Sequence, residues 1–162
     1  MRLNRHQLCM EWAIAAAKRS TCLRSQVGTV IAIDGRPLSV GYNGAPPGLP
    51  HCTPETCNET TPCIGTIHAE QNAIDWAARK GVAVEGAIMY STFSPCWDCA
   101  KSIIAAGLKM VIFLDQYRLV DPIGLLIRGK VAAGHLLNNG KVQLYEDHHF
   151  KGPVLSEFYA KS

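Results

Sequence analysis

Apolar residues recur at helical spacing from about residue 4 to 19. Leu8, Trp12, Ala15 and Ala16 form one stripe, and Glu11, Lys18 and Arg19 lie away from it. The pattern then changes. Val27 to Ile33 is rich in β-branched residues and reads as a strand. Asp34-Gly35-Arg36 makes a hairpin turn, and Pro37 to Tyr42 returns as a second strand. Residues 43 to about 66 follow neither period. Ala69, Asn72, Ala73, Trp76 and Ala77 restore helical spacing over residues 68–80, with Gly81 as the stop. Residues 87–92 predict a third strand, and Pro95 opens a helix running to about Ala106. Lys109 to Leu114 predicts a fourth strand. Residues 121–137 read as helical although Gly124, Gly129 and Gly134 interrupt them, and Lys141 to Tyr145 predicts a fifth strand. A crossover that long between the fourth and fifth strands implies that they run parallel.

Composition sharpens this α/β picture. A chain of 162 residues, 48% apolar and 18% charged, suits one globular domain spanning residues 1–162, with a tail from 146 that carries no signal. The apolar runs are too short to cross a bilayer. The start of the chain lacks the apolar core of a secretory signal, which makes a cytoplasmic location the expectation. Net charge is only +3 and the basic residues are scattered, so no nucleic-acid-binding patch is expected. Seven cysteines, an odd count, argue for metal ligation over a disulfide framework.

Two short segments carry the chemistry: Thr66-Ile67-His68-Ala69-Glu70 and Ser94-Pro95-Cys96-Trp97-Asp98-Cys99. One imidazole and two thiolates suit zinc and leave a fourth tetrahedral position for water. Zinc draws the pKa of that water toward neutrality. Glu70, two residues after the histidine and poorly spaced to be another ligand, is then suited to move protons. His68 and Glu70 fall in the first turn of one predicted helix, and Cys96 and Cys99 lie one turn apart at the start of another. Two helix N-termini therefore face one metal. His-x-Glu followed by Pro-Cys-x-x-Cys is the established signature of zinc deaminases. Either half alone would be weak: Cys-x-x-Cys also makes structural knuckles and redox pairs, and a helix-borne His and Glu are usually just a polar face.

The long irregular stretch needs a reason to exist in a compact domain. It contains Cys52, Cys57 and Cys63. With Cys22, these complete a four-sulfur set suited to a closed, structural zinc. The spacing matches no standard finger, so buried or idle cysteines are the other reading, and His51 is an alternative ligand.

Taken together, the chain resembles deoxycytidylate (dCMP) deaminases of the bacterial and phage type, within the cytidine deaminase superfamily. The likeness runs from about Lys18 to Tyr117. It is carried by Lys18 to Arg24, Val27-Gly28, Gly41-Tyr42-Asn43-Gly44, the cysteine loop, His68 to Ala73 and Tyr90 to Lys101. The resemblance implies a three-layer α/β/α fold with a five-stranded mixed sheet, and a homo-oligomer, commonly a hexamer. It implies catalytic zinc on His68, Cys96 and Cys99, with Glu70 as proton shuttle. A second zinc is implied at positions matching Cys22, Cys52, Cys57 and Cys63. Asn43 would hydrogen-bond the deoxyribose, the Ala69 backbone would touch the base, and Ser94 would line the substrate site. Ser20, Arg24, Tyr117 and Arg118 would hold the 5′-phosphate, for which a guanidinium is well shaped. Activation by dCTP, with accompanying Mg2+, and inhibition by dTTP would be felt at Gly41, Tyr42, Asn43, Gly44, Trp76 and Arg79. After Arg118 the chain departs from the family's usual pattern.

The expected reaction is hydrolysis of dCMP to dUMP and ammonia, supplying the dTMP pathway. The alternatives are deamination of another cytosine nucleotide (dCTP or a modified dCMP), or of a base in tRNA or single-stranded DNA. The last would want a basic groove and stacking aromatics. A silent zinc module that only binds nucleotides would have no need of Glu70.

Overall fold

The computed structural model describes residues 2–57, 65–117 and 121–146. Helix α1 (Arg5–Ala17) begins at Asn4, whose side chain accepts from the Gln7 amide while Gln7 reaches back to the Asn4 amide, a reciprocal capping box. The hairpin of β1 (Gly28–Ile33) and β2 (Arg36–Tyr42) follows. Its two turn residues, Asp34 and Gly35, both have positive φ, as the tight hairpin turn matched to strand twist requires. Then come α2 (Ala69–Lys80), β3 (Ile88–Phe93), α3 (Trp97–Ala105) and β4 (Met110–Asp115). Gly81 ends α2 in the left-handed conformation, the predicted stop.

The last third of the chain corrects the sequence reading. The helix expected over 121–137 ends early: α4 covers Asp121–Arg128. Lys130 takes a positive φ, and the chain re-enters the sheet as β5 (Ala132–Leu136), parallel to β4. The segment expected as the fifth strand is a sixth, β6 (Val142–Leu144), antiparallel to β5. The fourth and fifth strands are parallel as expected, but the fifth lies inside the stretch read as helix. Alanine and leucine there favour helix locally. Pairing on both sides overrides that preference.

The sheet order is β2-β1-β3-β4-β5-β6. Side chains alternate cleanly across it. Val30, Ala32, Tyr90, Ile112 and Leu136 pack with Cys9, Met10 and Ala13 of α1 on one face. Ile31, Met89, Val111, Phe113 and Ala133 pack on the other with Ala73 and Ala77 of α2, Ala100 and Ile103 of α3, and Ile123 and Leu126 of α4. With helices on both faces, the central strands read as unbroken apolar runs and the fold has three layers. Among the described residues, no helix is long and apolar enough to cross a membrane.

Glycines set how closely the layers approach. A Cβ on Gly28 would overlap the Ala13 carbonyl of α1, and one on Gly41 would overlap the Ala69 carbonyl and press on the Ala73 amide of α2. Gly41 thus lets α2 lie directly on β2, which sets the height of its first turn. Gly41→Ala should cost about 1–3 kcal/mol of stability, the usual range for overpacking a tight core. It should also depress any metal-dependent activity by displacing His68 and Glu70. Unfolding temperature and zinc content measured side by side check this, and a variant with both unchanged would contradict it.

Candidate metal centre and active-site cavity

Two helix N-termini converge at the carboxyl ends of β3 and β4, the usual place for a site in an open α/β sheet. His68 is the N-cap residue of α2 and Cys96 that of α3. An N-cap side chain ordinarily bonds a free amide of the first turn. Neither of these does, so imidazole and thiol are free to point outward at one another. Cys99 follows in the first turn of α3. His68 Nδ1 lies 3.3 Å from Cys96 Sγ and 3.4 Å from Cys99 Sγ. The three donor atoms all fall within 4.8 Å of one another, and among the described residues they form the one such cluster of His, Cys and acidic groups.

That geometry fits zinc. Zn–N and Zn–S bonds of about 2.0 and 2.3 Å at a tetrahedral angle put nitrogen and sulfur about 3.6 Å apart, close to the spacing found. The donor atom on His68 would be Nδ1, which leaves the proton on Nε2. Among the described residues the chain supplies three ligands, which would leave a fourth tetrahedral position for water.

Without metal, protons hold the cluster together. The hydrogen bond from Cys99, with help from His68, lowers the Cys96 thiol to about 4. The hydrogen bond with Cys96 raises His68 to about 9 against the pull of burial. Cys99 is pushed far up by its hydrogen bond to Cys96 and by burial, and so stays a thiol. These shifts arise because the three donors bond one another, and a bound metal would take the place of the protons they share. Glu70, in the first turn of α2, is 4% exposed, and burial lifts its carboxyl to about 7. A carboxyl at that value can both hold and release a proton near neutral pH.

A cavity of about 410 Å³ opens onto this cluster, of a size that takes a small polar organic molecule. Of the residues singled out from sequence, Arg24, Asn43, Ala69, Glu70, Ser94 and Tyr117 line it together with His68 and Cys96. Cys22 lines it too, and also borders a neighbouring hollow with Ser20 and Arg24. Ser20 is not on the main cavity wall. Its hydroxyl donates to the Asn43 carbonyl at 2.9 Å and accepts from the Cys22 amide. Cys63 and Arg118 lie outside the described residues. Trp76 is 45% exposed on α2, with the Lys80 ammonium 4.8 Å and the Arg79 guanidinium 5.9 Å from its ring centre. It is not a core tryptophan.

The Gly41-Tyr42-Asn43-Gly44 segment proves to be a junction. Gly41 admits α2, and the Tyr42 carbonyl accepts from the Asn72 side chain at 3.0 Å. Gly44 and Ile67 exchange both backbone hydrogen bonds, at 3.2 and 2.9 Å. That bridge closes the long intervening loop at its base and sets Asn43 beside His68. A Cβ on Gly44 would overlap the Thr21 hydroxyl. Sequence reasoning missed Ser25, Val27, Thr66 and Phe93 as cavity-lining residues. Their one signal was position: each abuts a chemical segment or a strand end.

Fold and site together define a three-layer α/β domain with a candidate zinc centre beside a buried carboxyl. The zinc-binding region of cytidine and deoxycytidylate deaminases matches residues 3–115, and the chain belongs to that family. ComE operon protein 2 of Bacillus subtilis is 42% identical over 118 residues, covering 72% of this chain and 62% of that protein. The deoxycytidylate deaminase of Enterobacteria phage T2 is 29% identical across 92% of this chain and 95% of its own length. Among solved structures, the apo dCMP deaminase of cyanophage S-TIM5 superposes with a TM-score of 0.71 at 30% identity, covering 83% of this chain and 99% of that one. The same enzyme in complex with dCMP and dUMP also gives 0.71, at 32% identity over 78% and 92% of the two chains.

The raised carboxyl makes a signed prediction. A group whose native pKa lies above its unfolded value of 4.5 favours folding most below that pH, and loses that contribution as pH climbs through about 7. Glutamine copies the neutral form at every pH. Metal-free Glu70→Gln should therefore match the parent at pH 4.5 and exceed it by up to about 3 kcal/mol above pH 7.5. Denaturant titrations of both proteins across this range measure the gap, and a gap independent of pH would contradict the burial account.

Proposed function

We propose that the chain hydrolyses dCMP to dUMP and ammonia, using zinc held by His68, Cys96 and Cys99. The observation that carries this reading is Glu70, a buried carboxyl raised to about 7 beside three metal donors. When bound, zinc supplies the Lewis acidity that makes water a nucleophile near neutral pH. Glu70 takes the first proton that water gives up and delivers it to ring N3, where it stays; it then takes the second, from the new C4 hydroxyl, and passes it to the departing amine as the C4 carbonyl forms. The oxygen of water ends on C4, and nitrogen leaves as ammonia. Val27 and Phe93 supply apolar wall against the base, and the Ala69 backbone sits where the ring edge would lie. On the family pattern Asn43 is assigned to the sugar, and Arg24 and Tyr117, which also line the cavity, to the 5′-phosphate, together with Arg118.

The choice of dCMP is supported by the phage enzyme that binds dCMP and dUMP and aligns with most of this chain. It is also supported by a cavity of about 410 Å³ that carries the Arg24 guanidinium at its wall. On the same reading, Cys22, Cys52, Cys57 and Cys63 hold a second, structural zinc. Cys22, Cys52 and Cys57 are half-buried. Regulation by dCTP (with Mg2+) and dTTP is assigned to Trp76, Arg79 and the Gly41–Gly44 junction, and assembly into a hexamer is assigned on the family pattern. Effector titrations and solution mass test these two assignments.

Glu70→Gln tests the reaction itself. The variant should keep the parent's zinc, expected at two per chain, while ammonia release from dCMP falls by about 10²–10⁴-fold or more. Undiminished release would remove Glu70 from the chemistry, and one zinc per chain in the parent would remove the second site.

A further inference from the structure

Between α1 and β1 the chain runs without regular structure from Ser20 to Val27, and this segment forms the cavity wall that carries Arg24. Such a loop has no ladder to hold it. Its two ends are instead tied to one residue. The Asn43 carbonyl accepts from the Thr21 amide at 3.3 Å and from the Ser20 hydroxyl at 2.9 Å. The Asn43 amide donates to the Val27 carbonyl at 3.2 Å. The side chain completes the closure: Oδ1 accepts from the Val27 amide and Nδ2 donates to the Ser25 carbonyl, both at 2.8 Å.

We propose that Asn43 is the positioning residue of this wall, clasping the neck of the 20–27 segment so that Arg24 is held at the cavity. The inference rests on the phosphate reading of Arg24 given above and adds a second duty to the sugar-facing one. The site demands an amide. Val27 offers an N–H and needs an acceptor, while Ser25, two residues earlier, offers a carbonyl and needs a donor. Only a carboxamide of this reach meets both at once. Aspartate matches the shape but turns an oxygen toward the Ser25 carbonyl. Asn43 is 7% exposed, so water cannot readily replace the lost partner. Each Asn43 side-chain atom still has one hydrogen or lone pair unused, which leaves the cavity side of the amide available to a ligand.

The test is a double-mutant cycle read as a specificity ratio: kcat/KM for dCMP divided by that for deoxycytidine, which lacks the phosphate. Arg24→Ala should lower the ratio by about 10- to 100-fold, the scale of one charged hydrogen-bonded contact. Asn43→Asp should lower it by a comparable factor, although residue 43 never reaches the phosphate. Because both changes act through Arg24, the double variant should fall no further than the worse single one. Any loss common to both substrates reports only the sugar contact. Hydrogen exchange gives a second readout, with the Ser20–Val27 amides expected to exchange at least tenfold faster in Asn43→Asp.

Where Arg24→Ala lowers the ratio, an unchanged ratio in Asn43→Asp, or factors that multiply in the double variant, would overturn the positioning role. Arg24→Ala with an unchanged ratio would overturn the phosphate reading instead. In that case, faster exchange would uphold the clasp and unchanged exchange would remove it too.

Discussion

The burial of one carboxyl governs this molecule. Glu70 sits almost wholly out of water, where an ionised group is expensive, and folding must hold it there. The sheet provides the means. Both its faces are covered, so the carboxyl ends of β3 and β4 become the floor of a hollow instead of an open edge. Gly41 lets α2 settle onto β2, and the Gly44–Ile67 bridge fixes the chain immediately before His68. The nearby donor cluster then makes the buried carboxyl useful. Chemistry near neutral pH follows from the same desolvation that lowers stability, a common trade in active sites.

Helix starts recur as the building device. His68 and Cys96 occupy the cap positions of two helices, giving up the capping bond that Ser or Asp would make there. A bound cation would sit where the positive ends of two helix dipoles meet. That placement does not favour a cation by itself, but it does favour thiolate and carboxylate around it. The low value of Cys96 in the metal-free state is in keeping with this.

What could be read from the sequence tracks how local the cause was. His68, Glu70, Cys96 and Cys99 were legible because metal chemistry dictates residue types over a few positions of chain. Gly81 as a helix stop and the Asp34-Gly35 turn were legible for the same reason. Strand β5 was not: Ala132 to Leu136 favours helix on its own, and only pairing with β4 and β6 makes it a strand. Ser20 looked like a ligand-facing hydroxyl, yet it is bonded to Asn43, a partner 23 residues away. Asn43 itself was legible as a site residue. Its hold on the 20–27 segment was invisible until the two were seen side by side.

The claim on which the rest depends is that the three-donor cluster and Glu70 act together on a cytosine nucleotide. The direct measurement is ammonia release from dCMP as zinc is stripped by a chelator and then restored. Turnover that falls in step with the zinc lost and returns when zinc is added back is the predicted result. Full turnover by metal-free protein, or a zinc-replete protein that releases no ammonia from dCMP, would contradict the account.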